Sequence, residues 1–209
     1  MSDLYKAIVE GNAKAAVAAT EAALARGEDA LGIVQQQMVP AMDEVGRLFE
    51  CEEFFVPELL LAGRAMKSSL ELIRPLLAAQ GAKPAGRVII GTVKGDLHDI
   101  GKNIVSSMLE GGGFEVIDLG ADVSPERFVE AVREGDADIV CLSALLTVTM
   151  PSMRKVIEAL SESGVRDKVK VLVGGAPVTQ RFAEEIGADG YGENAAAAVT
   201  LARKMVQAA

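Results

Sequence analysis

The sequence predicts an α/β protein: a four-helix bundle, followed by a flavodoxin-like, Rossmann-like five-stranded parallel sheet with helices on both faces. Three observations carry this expectation. Apolar residues recur at steps of three and four through the first 80 residues, which is helical periodicity. Beyond residue 87, short β-branched or apolar runs alternate with helical stretches, the pattern of a parallel sheet covered on both sides. Half of the 209 residues are apolar and 24% are charged, enough apolar side chain to fill a core.

In chain order, Leu4 with Ile8 marks a first helix, and Ala13 to Leu24 a second. Breaks fall at Gly11-Asn12 and Gly27. A third carries Leu31, Val34, Met38, Met42, Val45 and Leu48. The fourth begins near Pro57, a residue tolerated in a first turn, and carries Leu60, Met66, Leu70, Ile73 and Leu77. Short loops between four helices make a bundle. The segment QGAKPAGR then breaks the pattern with glycine, proline and charge, so residues 1–80 are expected as the helical domain, 81–87 as a linker and 88–209 as the α/β domain. Strands are expected at Val88–Val93, Glu115–Asp118, Ile139–Ser143 and Val169–Val173, with a weak fifth at Gly190–Tyr191. Helices should start near Gly101, Pro125, Pro151, Thr179 and after Asn194. In this topology ligands sit beyond the carboxyl ends of the strands near the switch point, so the loops after strands one, three and four should carry the chemistry.

Composition excludes several classes. With 30 Asp and Glu against 21 Lys and Arg, the net charge is −9. That is the wrong sign for neutralising nucleic-acid phosphates or an anionic membrane surface. No apolar run approaches the roughly 20 residues of a spanning helix. The opening MSDLYKAIVEGNAK has no basic region followed by an apolar stretch, so no secretory signal is expected. Two cysteines, Cys51 and Cys141, make no disulfide framework and fit a reducing cytoplasm, with Cys141 placed in a buried strand. One histidine and no Cys-x-x-Cys argue against a structural zinc site.

The first strand runs into GTVKGDLHDIGKN, which superficially resembles a phosphate loop. Five residues, not four, separate Gly95 from Gly101, and Asn103 rather than Ser or Thr follows Lys102. No Gly-x-Gly-x-x-Gly follows the strand, so the dinucleotide fingerprint fails as well. What remains is Asp96-Leu97-His98-Asp99-Ile100-Gly101, with the only histidine of the chain on the expected ligand loop. One imidazole nitrogen can ligate a metal while the other donates to a carboxylate, and Asp96 is the nearest candidate. Gly101 would let the next helix start without crowding a large ligand. The plainer alternative is a solvated or helix-capping histidine. A single histidine supplies one ligand, so any metal must arrive mostly coordinated, as in a macrocycle. The third strand ends in SALLTVT, placing the hydroxyls of Ser143, Thr147 and Thr149 around a strand end, one of which could cap the helix before Pro151. The fourth ends in Gly174-Gly175-Ala176-Pro177, where missing side chains admit something flat against the backbone; an ordinary turn is the alternative.

GDLHDIGKNIV, SALLTVT and VGGAPVT, with VPAMDEVGRLF and FFVPELLLAGRAM in the first half, together resemble the corrinoid proteins of methyltransferase systems. These are the carriers of methanol, methylamine, methylated-betaine and methoxy-aromatic metabolism, and the cobalamin-binding module of methionine synthase is similar. The resemblance spans essentially the whole chain. It implies that cobalamin binds with its lower base displaced and His98 as axial ligand to cobalt, with Asp96 as the hydrogen-bond partner of His98. Leu97, Asp99, Ile100 and Gly101 would complete that loop. Ser143, Leu145 and Thr147 would line the pocket for the displaced base, with Gly174, Gly175 and Ala176 making room. Methionine synthase has Ser at the position of Thr149, so the hydroxyl is kept and the residue is not. The helical half would act as a cap, with Phe55 over the corrin and Leu59 nearby, unless Phe55 is ordinary bundle core.

The resemblance further implies a cytoplasmic methyl carrier of one-carbon metabolism, cycling between cob(I)alamin and methylcobalamin, with little turnover alone. Its partners would be a substrate:corrinoid methyltransferase, a second methyltransferase serving an acceptor such as tetrahydrofolate or a thiol, and a reductive activase. The cobalamin subunit of an adenosylcobalamin mutase shares the histidine-bearing fold but normally lacks the helical cap. A cobalamin-dependent sensor would need a further domain.

Overall fold

A computed structural model describes residues 1–207; residues 208 and 209, the last two of the expected α/β domain, lie outside it. The described residues divide into two compact units. One comprises Met1–Pro84 with Ser107–Gly113, the other Ala85–Ser106 with the chain from Phe114 onward.

In the first unit, helix α1 (Asp3–Val9) is capped by Ser2, whose Oγ accepts from the Tyr5 amide at 3.2 Å. Helix α2 (Ala13–Ala25) is capped by Asn12, which accepts from Ala15 N at 3.1 Å. A polar side chain at each helix start satisfies an amide that the helix cannot. Helix α3 (Ala30–Ile33) passes without a break through five π-helical residues, Val34–Met38, into α4 (Val39–Glu50). Pro40 explains the π-segment: it has no amide hydrogen to give Gln36, and Val39 N instead bonds Val34 O five residues back. Helix α5 (Val56–Ala79) holds Pro57 in its first turn, and the Glu58 carboxylate accepts from Phe55 N at 2.9 Å.

The core of this unit gathers Leu4, Ile8, Ile33, Met38, Met42, Val45, Leu59, Met66, Leu70 and Ile73. One expected position is corrected: Leu60 is exposed and Leu59 takes its place inside. Helix α5 starts at Val56, and counting its face from Met66, Leu70 and Ile73 back by 3.6 residues per turn lands on Leu59. The α2 residues buried against the unit are small, Ala16, Thr20 and Ala23, so close packing through small side chains replaces aromatic bulk.

Beyond residue 84 the chain runs β1 (Arg87–Thr92), α6 (Ile100–Gly111, whose end from Ser107 groups with the first unit), β2 (Glu115–Asp118), α7 (Pro125–Gly135), β3 (Ile139–Ser143), α8 (Pro151–Glu162), β4 (Lys170–Gly174), α9 (Gln180–Ile186), β5 (Gly190–Gly192) and α10 (Ala195–Gln207). The strands form one parallel sheet in the order β2-β1-β3-β4-β5, the flavodoxin-like order. Right-handed crossovers put α6, which leads leftward to β2, on the face opposite α7, α8 and α9. The central strands are buried on both faces: Val88, Ile89, Ile90, Val140, Leu142, Val171 and Val173 are all within the core, as is Cys141. Gly91 lets Phe128 of α7 lie close to β1, since a Cβ there would meet the ring at 2.8 Å. Register aligns the carboxyl ends, with Thr92 opposite Ser143 and Ser143 opposite Gly174. Among the described residues no helix is long and apolar enough to cross a membrane.

Candidate functional site: the loops after the strand ends

The chain leaves β1 toward β2 on one side and leaves β3 toward β4 on the other, so the loops after β1 and β3 lie at the switch point of the sheet, where ligands bind in this fold class. The β1 loop is tied down at both ends. Val93 N donates to Ser143 O at 3.0 Å, and the buried Thr92 hydroxyl donates to His98 O at 3.0 Å.

Asp96 is fully buried at the centre of this loop. Its Oδ2 accepts from the Leu145 and Leu146 amides at 2.8 and 3.2 Å and from Thr149 Oγ1 at 2.6 Å. Its Oδ1 accepts from the His98 amide at 3.1 Å and lies 2.7 Å from His98 Nδ1. Burial alone would push this carboxyl up; the hydrogen bonds from Thr149, the His98 ring and the Leu145 and His98 amides outweigh it and hold Asp96 well below the usual carboxylate range. An ionised carboxylate can only accept, so Nδ1 carries the ring proton and Nε2 is the atom able to ligate. The His98 side chain is 50% exposed, so the geometry is a buried anion holding a presented imidazole. Among the described residues no group of three or more His, Cys, Asp or Glu is gathered for a metal ion. Any metal at His98 must bring its other ligands with it.

The other singled-out positions distribute around this pair. Thr149 is buried and does not cap α8; its hydroxyl, also 2.8 Å from Leu146 O, has one proton, and the closer acceptor is Asp96. Asp99 is exposed and its carbonyl accepts from Asn103 N at 2.8 Å, opening α6. Leu97, Ile100, Leu145, Leu146 and Val148 are large apolar side chains left exposed on the same loops, an unusual rim for solvent alone. A Cβ on Gly101 would meet nothing within 4 Å, so the start of α6 has open space. Ser143 and Gly174 are half-buried at adjacent strand ends, and Thr147 and Ala176 are exposed. Gly175 has φ +129°, and a Cβ there would fall 1.9 Å from Ala144 O. Close backbone approach therefore requires this glycine independently of any ligand. Phe55 belongs to the first unit, where it is exposed at the start of α5 and is not bundle core, whereas Leu59 is.

A flat, largely apolar ligand carrying a metal with one open position fits these residues: one imidazole, an apolar rim and an uncrowded helix start. Sequence reasoning missed the loop after β2. Asp122 accepts from Gly95 N and Lys94 Nζ, and the buried Lys102 ion-pairs with Asp118 while donating to Asn103 Oδ1 at 2.6 Å. The signal available was an Asp-x-x-x-Asp pair flanking the turn at DLGAD.

A parallel α/β unit that buries a carboxylate to present one imidazole at its switch point is a ligand-carrying domain of the flavodoxin-like class. Family models place it further. Residues 86–200 match one described as a B12 binding domain, and residues 2–74 match a second of the same description. Dimethylamine corrinoid protein 1 of Methanosarcina acetivorans is 45% identical over 208 residues, 99% of this chain and 97% of its own length. Two crystal structures are similar. The methanol:cobalamin methyltransferase complex of Methanosarcina barkeri is 32% identical with a TM-score of 0.88, over 99% of this chain and 79% of that one. A cobalamin-binding protein of Desulfitobacterium hafniense is 33% identical with a TM-score of 0.79, over 97% and 96%. The chain belongs to the B12-binding corrinoid proteins of methyltransferase systems, and its cofactor is cobalamin.

Proposed function

We propose that this protein is a methyl carrier that holds cobalamin with the cofactor's own base displaced and His98 Nε2 as the axial ligand to cobalt. The observation that carries the proposal is the Asp96–His98 contact at 2.7 Å: it fixes the tautomer and aims Nε2 outward. Leu97 and Asp99 on the β1 loop, with Ile100 and Gly101 at the start of α6, would line the cofactor beside that atom. Ser143, Leu145 and Thr147 on the β3 side, with Gly174, Gly175 and Ala176 after β4, accommodate the displaced base and its tail. When bound, the cofactor supplies a cobalt centre that accepts a methyl group and gives it up. The chain's residues position and tune. His98 donates its Nδ1 proton to Asp96, which raises the basicity of Nε2. Thr149 and the Leu145 and Leu146 amides keep Asp96 ionised, and the exposed Leu97, Leu145 and Leu146 offer apolar surface to the cofactor.

Methylated amines are the first donors to test, because relatives that share nearly the whole chain are named dimethylamine and trimethylamine corrinoid proteins. The donor would reach the carrier through a substrate:corrinoid methyltransferase. A second methyltransferase would pass the methyl group to an acceptor such as tetrahydrofolate or a thiol, and a reductive activase would restore carriers lost to oxidation. All of this chemistry is placed in the cytoplasm.

The test is electron paramagnetic resonance of cobalt(II) in nitrogen-15-labelled protein loaded with unlabelled cobalamin. A nitrogen-15 doublet is expected, and because the chain has one histidine its absence in His98→Ala assigns it. A nitrogen-14 triplet from the cofactor's base would overturn the assignment.

A further inference from the structure

We propose that Asp122, on the loop after β2, is a positioning residue that clamps the Lys94 side chain and the backbone of Gly95 and Asp96 and so sets where His98 is presented. The proposal rests on the reading of His98 as the cobalt ligand. Its basis is the number of points at which one residue meets three consecutive ones. Asp122 Oδ2 accepts from Lys94 Nζ at 2.9 Å, Oδ1 accepts from Gly95 N at 2.8 Å, and the Asp122 amide donates to Asp96 O at 2.9 Å.

These bonds act on a part of Asp96 that the β3 loop does not reach. Leu145, Leu146 and Thr149 hold the carboxylate from one side, but a carboxylate pinned at its tip still pivots about its side-chain torsions. Asp122 pins the main chain from the other side. Held at both ends, Asp96 has one orientation to offer Nδ1 of His98.

Asp122 also stands on a rigid footing. Gly120 O accepts from Thr92 N at 2.9 Å, Val123 N donates to Thr92 O at 3.0 Å, and Val123 bridges Val93 in parallel. The ladder between β1 and β2 thus continues past the strand ends to Asp122 itself. At the base of this loop Asp118 accepts from Gly120 N at 2.8 Å and pairs with the buried Lys102 of α6. The clamp is therefore anchored in the sheet and in the helix that follows the histidine.

The backbone conformation supports a role beyond turn formation. Asp122 has φ +57°, a left-handed value that few residues other than glycine adopt. Glycine would satisfy that conformation at less cost, yet the position carries a carboxylate whose two oxygens are both used. The Gly95 amide and Lys94 hold that carboxyl below its ordinary range, so it is an anion under the conditions in which the loop works.

Asp122→Gly is the discriminating variant, because it keeps the left-handed backbone and the amide bond to Asp96 O while deleting both carboxylate bonds, to Lys94 Nζ and Gly95 N; Asp122→Asn keeps an acceptor for Gly95 N and serves as the conservative rescue. Two readouts apply to the full chain: amide hydrogen exchange of the apoprotein, and the cobalt(II) nitrogen-15 doublet after loading. In Asp122→Gly, exchange at Gly95–His98 should rise about tenfold, the factor expected for losing a charge-assisted hydrogen bond, while β3 and β4 amides stay protected. The share of cobalt showing the doublet should fall, and Asp122→Asn should restore most of it. If loop exchange and doublet are unchanged within about twofold, or if β3 and β4 lose protection in parallel, the proposal is wrong. A wild type that shows the triplet of the cofactor's base overturns the ligand reading; a wild-type doublet undiminished in Asp122→Gly overturns the clamp alone.

Discussion

Thr149 shows how much one hydroxyl decides at the site. It is buried, it is 2.6 Å from Asp96 Oδ2, and replacing it with valine would leave the carboxylate one donor short. Thr149→Val should destabilise the apoprotein by about 1.5–3 kcal/mol at neutral pH, the worth of a hydrogen bond to a charged group, with Thr149→Ser restoring it. The pH dependence has a definite sign. Asp96 is depressed in the folded chain relative to an unfolded value of about 3.9, so the folded state binds fewer protons between those values and stability rises with pH there. The contribution is present above the unfolded value and is lost as pH falls through the folded one. In Thr149→Val the folded value moves up, so denaturation midpoints measured from pH 6 down to 2 should fall less steeply than in the wild type. At this scale the sequence told part of the story: Asp96 and His98 were legible as a pair because they lie two residues apart on a strand-end loop. That Thr149 completes the pair rather than capping α8 was open, because its partner lies 53 residues away and only the registry of β1 and β3 brings them together. Asp122 is marked in the sequence only by the Asp-x-x-x-Asp spacing at DLGAD, which does not say that its partners are Lys94, Gly95 and Asp96 on another loop.

Elements are where reading the sequence works best, and its misses have local causes. Parallel strands buried on both faces appear as unbroken apolar runs, so β1, β3 and β4 lie within a residue of their expected ends, and the weak fifth strand expected at Gly190–Tyr191 spans Gly190–Gly192. The bundle was harder at its edges. The π-segment at Val34–Met38 adds a residue to the turn before Pro40, which a periodicity of three and four does not anticipate, and the core face of α5 starts one residue earlier than expected, at Leu59. Loop backbones are also constrained more tightly than composition suggests. Gly175 was read as room for a ligand, yet its Cβ would fall 1.9 Å from Ala144 O, with φ at +129°. Gly175→Ala should therefore destabilise the apoprotein, by about 1–3 kcal/mol for combined strain and crowding, measured by chemical denaturation with no corrinoid present. An apoprotein unaffected by the change would show that the glycine serves the ligand alone.

For the whole molecule, two compact units and a single presented imidazole lead to separable stabilities. Calorimetry of the apoprotein should give two unfolding transitions. Cobalamin at about one hundred times its dissociation constant should raise the stability of the transition belonging to the α/β unit by about 2.7 kcal/mol. A shift confined to the other transition would place the cofactor away from the β1, β3 and β4 loops. The net charge of −9 is of the sign that repels polyanions. The two-sided hold on Asp96 also has a consequence for the timing of synthesis. On the ribosome Asp96 and His98 emerge well before Leu145, Leu146 and Thr149, and during that interval the carboxylate has none of its β3-loop donors. The full hold on Asp96 is in place only once β3 has been made and paired with β1. A chain that stops short of the third strand therefore lacks the donors that complete the hold on Asp96.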